Sequence, residues 1–256
     1  MSQRQERKKF EGGGQISAVE YQKTNPDRVN IFIEGEYAFS VAAILAAERK
    51  LKAGVKLSPE DTAELQAADL YNQGLSAALQ LLAMRPRSEA EISQRLRKRY
   101  PEITPETIRQ VVERLRELNY LNDASFARFW VENRAAFAPR GRNLLRQELM
   151  KKGVPRDIID AIISEQLDAQ TEESEDDESG ETLNLEESQA LEMARKKALS
   201  YAGEEWPAFY RKLGGFLQRR GYGFDIVGKV SKQVWKELKD ANAGDEDDYE
   251  YAEEDY

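Results

Sequence analysis

Apolar and polar positions alternate along residues 16–41, around turn residues at Asn25-Pro26-Asp27 and Glu34-Gly35. That is the period of half-buried strands. Three short strands are expected, Ile16 to Gln22, Val29 to Ile33 and Tyr37 to Val41. The period then lengthens. A helix is expected from Ala42 to about Lys52, ending near Gly54, and Ser58-Pro59 opens another, with Ser58 as cap and Pro59 at the first helical position, where its missing N–H costs nothing. From Asp69 onward the pattern is helical. Ser88-Glu89-Ala90-Glu91 reads as a capping box ahead of Ile92, Leu96 and Tyr100 on one face. Thr104-Pro105-Glu106 opens a helix with Ile108, Val111, Val112, Leu115 and Leu118 at i, i+3, i+4, i+7 spacing. Asn122-Asp123 caps a further segment containing Phe126, Phe129 and Trp130.

The same helix returns. Ile92, Leu96 and Tyr100 correspond to Leu145, Leu149 and Gly153, and again to Leu213, Leu217 and Gly221. Each copy is preceded by a helix and followed by a second amphipathic one, carrying Ile108 to Leu118, then Ile158, Ile159 and Ile162, then Ile226, Val230 and Val234. The copies are offset by 53 and then 68 residues, the excess matching an acidic run between the second and third. Three-helix units that bury their apolar faces poorly alone gain by stacking. The fold expected is mainly α: three tandem three-helix repeats in an elongated body, with a small N-terminal β-meander plus helices. The expected divisions are a flexible leader (1–14), strands and helices (15–68), repeats at 69–121, 122–168 and 186–240, an acidic linker (169–185) and a disordered acidic tail (241–256).

Charge sharpens this picture. Of 47 carboxylates, eleven lie in residues 165–187 and nine in 240–256, stretches without Lys or Arg, so the other residues hold 27 acidic against 38 basic groups. A chain of net charge −9 is thus a basic body with acidic appendages. Dense like charge repels itself and buries nothing, which is why the linker and tail are expected to lack structure. Solubility alone accounts for such runs, and competition with a polyanionic partner for the basic surface is the alternative.

The composition excludes much chemistry. With no Cys and no His, disulfides, thiolate nucleophiles, common zinc sites and imidazole bases are absent. No Gly-Lys-Ser/Thr phosphate loop is present, and Gly12-Gly13-Gly14 sits in a polar leader. The longest apolar run, Val41 to Ala47, falls far short of the roughly 20 residues that span a bilayer. A cytoplasmic, non-enzymatic protein without metal or cofactor is expected.

Three stretches carry a resemblance: Ala78 to Leu96, "ALQLLAMRPRSEAEISQRL"; Val111 to Arg134, "VVERLRELNYLNDASFARFWVENR"; and Arg140 to Val154, "RGRNLLRQELMKKGV". They resemble the RecX family of regulators of the bacterial recombinase RecA, especially Leu121-Asn122-Asp123 with Phe126, Ala127, Trp130 and Arg134. The resemblance covers about Ala77 to Leu167 and continues in register over Glu187 to Lys239. It implies tandem three-helix repeats and a monomer that binds the RecA–DNA filament along its groove, with single- or double-stranded DNA inside that filament. It also implies lowered RecA ATPase, strand-exchange and coprotease activity, roles in DNA repair, recombination and the SOS response, and no catalytic residues. The acidic insert and tail depart from the family pattern.

The binding surface expected is collective and basic: Arg87, Arg95, Arg97, Lys98 and Arg99 in the first repeat, then Arg134, Arg140, Arg142, Arg146, Lys151 and Lys152, then Arg211, Lys212, Arg219 and Arg220. Arg95 and Arg99 stand one turn apart and Arg142 and Arg146 repeat the spacing, so a stripe suited to phosphates or an acidic groove is expected. Solvated faces also collect Lys and Arg, and Arg134 could equally brace a helix end. Phe126, Phe129, Trp130, Trp206 and Trp235 are expected in packing rather than as base-stacking platforms. Gly214-Gly215 within a helix implies close packing, or else a local break. The competing reading is a general helical DNA-binding module or transcriptional regulator, with residues 104–121 holding a recognition helix.

Overall fold

The computed structural model describes residues 10–168 and 183–250, with side chains to Ala241. The expected leader lies mostly, and the linker almost wholly, outside those residues. The described chain forms two compact units, one from residues up to 85 with 92–121, the other from 86–91 with the residues after 121.

In the first unit, β1 (Gly14–Tyr21), β2 (Arg28–Ile33), β3 (Glu36–Ala42) and β4 (Lys56–Leu57) form an antiparallel sheet of order β3-β2-β1-β4. The alternation read from the sequence is the burial pattern found: Val29, Ile31 and Ile33 of β2 point into the core with Ile16, Phe39 and Val41. Helix α1 (Ala43–Glu48) is shorter than expected, because Lys50 enters the left-handed region at φ 53 and turns the chain. Ser58 caps α2 (Pro59–Met84) in a full capping box with Asp61.

Helix α2 runs 26 residues, straight through the position where sequence divides the strand region from the first repeat. Nothing between Pro59 and Met84 breaks a helix firmly; Gly74 is tolerated and packs against Ile103 and Val111. Its first half packs Leu65 and Ala68 on the sheet, while Ala77 and Ala78 enter the core of the first repeat. Buried Asp69 joins the halves, accepting hydrogen bonds from Arg28 (2.7 and 3.1 Å), the Ala42 N–H (2.8 Å) and Gln73 (2.6 Å). Helices α3 (Glu89–Arg99) and α4 (Pro105–Glu117) complete that repeat around Ile92, Leu96, Val111 and Leu115.

The second unit holds the other two repeats. Helices α5 (Asp123–Phe137), α6 (Arg142–Lys151) and α7 (Arg156–Leu167) enclose Phe126, Leu145, Leu149, Ile159 and Ile163. Helices α8 (Leu185–Ala198), α9 (Trp206–Arg219) and α10 (Phe224–Glu250) enclose Ala194, Phe209, Leu213, Leu217, Val227 and Val230. Asn122 and Asn184 cap α5 and α8 through Oδ1 at 2.9 Å. The backbone of α10 is helical to Glu250, past residue 241 where the sequence places a tail; residues 251–256 lie outside the described chain. No described helix is long and apolar enough to cross a membrane.

Helix α9 is unbroken at Gly214-Gly215, and a Cβ on Gly214 would meet Val227 Cγ1 at 3.3 Å, so close packing is the reason for that glycine. Trp206 and Trp235 pack on Phe209 with ring centroids 6.2 and 4.8 Å away, as structural aromatics. Phe129 departs from expectation and is 40% exposed.

Candidate functional site

The middle helices α3, α6 and α9 are superposable in sequence through their buried anchors, Ile92/Leu96, Leu145/Leu149 and Leu213/Leu217. Their basic residues fall into two sets. Arg95, Arg97, Lys98 and Arg99 of α3, Lys151 of α6, and Arg211 and Arg219 of α9 are exposed, and no ion pair holds them among the described residues.

The others are committed within the fold. Arg134 bonds Glu148 (2.8 Å) and lies 4.6 Å over the Trp130 ring, whose indole N–H donates to the same carboxylate. It braces α5 against α6. Arg142 reaches both Glu186 (2.6 Å) and Asp168 (2.7 Å), and Arg146 bonds Asp160 (2.7 Å). Lys152 pairs with Glu91 (2.9 Å) over Trp130, and Lys212 pairs with Glu204. Arg220 stacks over Phe216 at 4.8 Å. Arg140 is half-buried, and its enclosed Nε has no hydrogen-bond partner among the described residues.

Two details correct the stripe. Arg87 is only 8% exposed and has an interaction within the protein, so it is not a surface cation. Arg142 and Arg146 do not repeat the outward pair Arg95 and Arg99, because carboxylates of α7 and α8 and Asp168 draw both guanidinium groups inward. Burial alone would lower the Arg142 pKa, but the hydrogen bonds it donates to Asp168 and Glu186 outweigh it and raise the value. Asp160 is held below its ordinary value by the Arg146 hydrogen bond.

Two of these pairs, Lys152–Glu91 and Arg142–Glu186, reach from the second repeat to residues 86–91 and to the third repeat, all within the second unit, at two junctions. At the first, Asp123 accepts the Glu89 N–H (2.9 Å), Ser88 Oγ donates to the Lys152 carbonyl (2.5 Å), and Gly153 packs on Ala90. At the second, Glu186 accepts the Arg142 N–H (2.8 Å), the Gly141 N–H donates to the Arg220 carbonyl (2.9 Å), and Gly221 packs on Leu144. In both, a carboxylate near the start of the next repeat's first helix caps the previous middle helix. Gly153 (φ 76) and Gly221 (φ 92) hold left-handed conformations and leave no room for a side chain.

Sequence reasoning missed Asp123 and Glu186 as junction groups; a carboxylate just inside a capped helix gives no hint of a distant partner. It also missed Lys232 and Lys236 of α10, exposed and without an ion pair among the described residues, which their i, i+4 spacing could have revealed. On α4, the supposed recognition helix, Arg109, Arg114 and Arg116 are paired with Glu106, Glu117 and Glu113 of the same helix. That face is largely neutralised. Among the described residues no group of three or more acidic side chains could hold a metal ion.

A short strand region followed by three three-helix units with basic middle helices defines a class of modular helical-repeat proteins, and the comparisons agree with it. Four family models match in chain order: "Regulatory protein RecX N-terminal domain" at 14–58, then the first, second and third RecX three-helix domains at 75–115, 122–163 and 186–230. Regulatory protein RecX of Bacillus subtilis is 30% identical over 220 residues, 86% of this chain and 76% of that protein. Its counterpart in Listeria monocytogenes (strain EGD-e) is 35% identical over 158 residues, 61% of this chain but 58% of that protein. The chain thus spans under three fifths of the Listeria relative's length. A crystal structure of regulatory protein RecX aligns at TM-score 0.62 and 22% identity, covering 85% of this chain and 98% of that one. RecX from Lactobacillus salivarius aligns at 0.56 and 22% identity, covering 65% and 97%. Both share the fold. The chain belongs to the RecX family of regulatory proteins.

Proposed function

We propose that the protein is a cytoplasmic, non-enzymatic regulator that binds the RecA–DNA filament as a monomer and lowers RecA's ATPase, strand-exchange and coprotease activities. Membership of the regulatory RecX family, with all four family segments in order, is the observation that carries this reading. The exposed cations of α3, and separately those of α6 and α9, supply basic surfaces a polyanionic filament can accept, while Arg142 and Lys152 reach carboxylates of other repeats and Arg134, Arg146 and Lys212 pair within their own. The repeats bring several such contacts to one polymer, which favours a linear partner. A sequence-specific operator binder is disfavoured by the Glu-paired arginines of α4.

The test is RecA's DNA-dependent ATPase with the protein added well below one copy per RecA. The rate should fall steeply; an unchanged rate at saturating amounts rejects the proposal.

A further inference from the structure

Helix α2 does more than join two cores. Beside Asp69, where it passes from the sheet to the first repeat, a groove of about 530 Å³ lies between it and α4. Ala67, Ala68 and Tyr71 line one side, Gln110, Glu113 and Glu117 the other, together with Arg114, all within the first unit. Helical spacing continues the α2 wall back through Glu64 and Glu60, both exposed and without an ion pair among the described residues. On α4, half-exposed Glu113 and Glu117 are matched by Arg116 and Arg114 of the same helix. Four carboxylates against two arginines leave the groove acidic.

We propose that residues 1–9 lie in this groove, their cations against its glutamates, and strap the strand region to the first repeat. Three observations name that occupant. The chain enters beside the groove: Phe10 packs on Phe39 of the sheet core, with ring centroids 6.2 Å apart, and its carbonyl accepts a hydrogen bond from Nε2 of Gln66 (2.8 Å), the residue before Ala67. The charge matches, since Arg4, Arg7, Lys8 and Lys9 stand with one carboxylate, Glu6, whereas residues 169–182 and 251–256 hold no Lys or Arg and would be repelled. The length suffices, because nine extended residues reach about 30 Å and Gln66 to Tyr71 is about 8 Å along the helix. Exposed Ala67 and the half-buried Tyr71 ring offer an apolar floor to the stems of long basic side chains, whose charged ends belong at the rim with the carboxylates.

Carbodiimide coupling of the full chain joins a lysine amine to a carboxylate where the two touch, and mass spectrometry of the digested product locates each link. An equal mixture of ordinary and nitrogen-15-labelled chains separates links within a chain from links between copies. Lys8 or Lys9 should be joined to Glu64, Glu113 or Glu117 of the same chain, and the yield should fall about fivefold in about 0.5 M salt, which screens ionic contacts. The second readout is trypsin cleavage after Arg4 and Arg7 in wild type and in the Glu64→Gln, Glu113→Gln, Glu117→Gln triple variant, whose substitutions are all at exposed positions. Glu192→Gln serves as control, since Glu192 is an exposed carboxylate of the second unit. Cleavage should be about three times faster in the triple variant than in wild type or control, because it tracks the fraction of leader outside the groove. Absence of groove links, links chiefly to residues 169–187 or 240–256, or links between copies overturn the proposal, as does a triple variant cut no faster than the control.

Discussion

Substituting Arg142 with Ala should unfasten the third repeat from the second. The Glu186 carboxylate is 1% exposed and loses its 2.6 Å guanidinium partner, keeping the Arg142 backbone N–H. Removing one member of a buried ion pair costs about 3–5 kcal/mol. Arg142 itself is one-third exposed, so solvent takes up part of the loss and about 3 kcal/mol is expected. The second bond, to half-exposed Asp168, adds no more than about 1 kcal/mol. Asp168 and Glu186 lie on either side of residues 169–182, so one guanidinium ties both flanks of the acidic insert to α6. Of the three tryptophans, Trp206 and Trp235 sit in the third repeat, and a Trp130→Phe background makes urea unfolding by fluorescence report on that repeat. Arg142→Ala, Glu186→Gln and the double variant complete a cycle whose coupling should reach about 2 kcal/mol. Coupling under about 0.5 kcal/mol would refute the clasp.

Three further outcomes follow from the same geometry. Gly141→Ala places a methyl against the backbone of Gly221 and Tyr222 and should lower the third-repeat unfolding midpoint by the equivalent of about 2–4 kcal/mol, read in the same fluorescence assay. Tyr222 has its pKa raised above the ordinary 10.0, chiefly by burial and then by the Glu186 charge. Its folded value lies above its unfolded one, so its contribution is complete below pH 10 and is lost as pH climbs beyond; Tyr222→Phe should remove that part of the alkaline loss, seen by denaturant titration at pH 9–11. Asp160 runs the other way: depressed by the Arg146 hydrogen bond, it stabilises above its ordinary 3.8, so the stability gap between wild type and Arg146→Ala should close as pH falls below that value.

The repeats were legible because their anchors obey local rules. Ile92, Leu96, Leu145, Leu149, Leu213 and Leu217 are the fully buried residues that helical spacing selects, and the caps at Ser58, Thr104 and Asn122 form as their side chains dictate. The strands were legible through alternation, whereas the two-residue β4 gives no period to read. The continuous α2 was hidden because one helix serves two cores, and its apolar residues look like two segments. The basic surface was legible only as a set. Helical spacing sets Arg95 and Arg99 one turn apart, as it does Arg142 and Arg146, but the carboxylates that capture Arg142 come from 26 and 44 residues away. Which cations are neutralised is a tertiary property, and no local pattern encodes it.

Electron microscopy of RecA–DNA filaments with and without the protein is the most direct measurement of the proposed regulation. Added density should follow the helical groove and carry the three-helix repeats along it. Filaments that remain bare at protein concentrations saturating for DNA binding would contradict it.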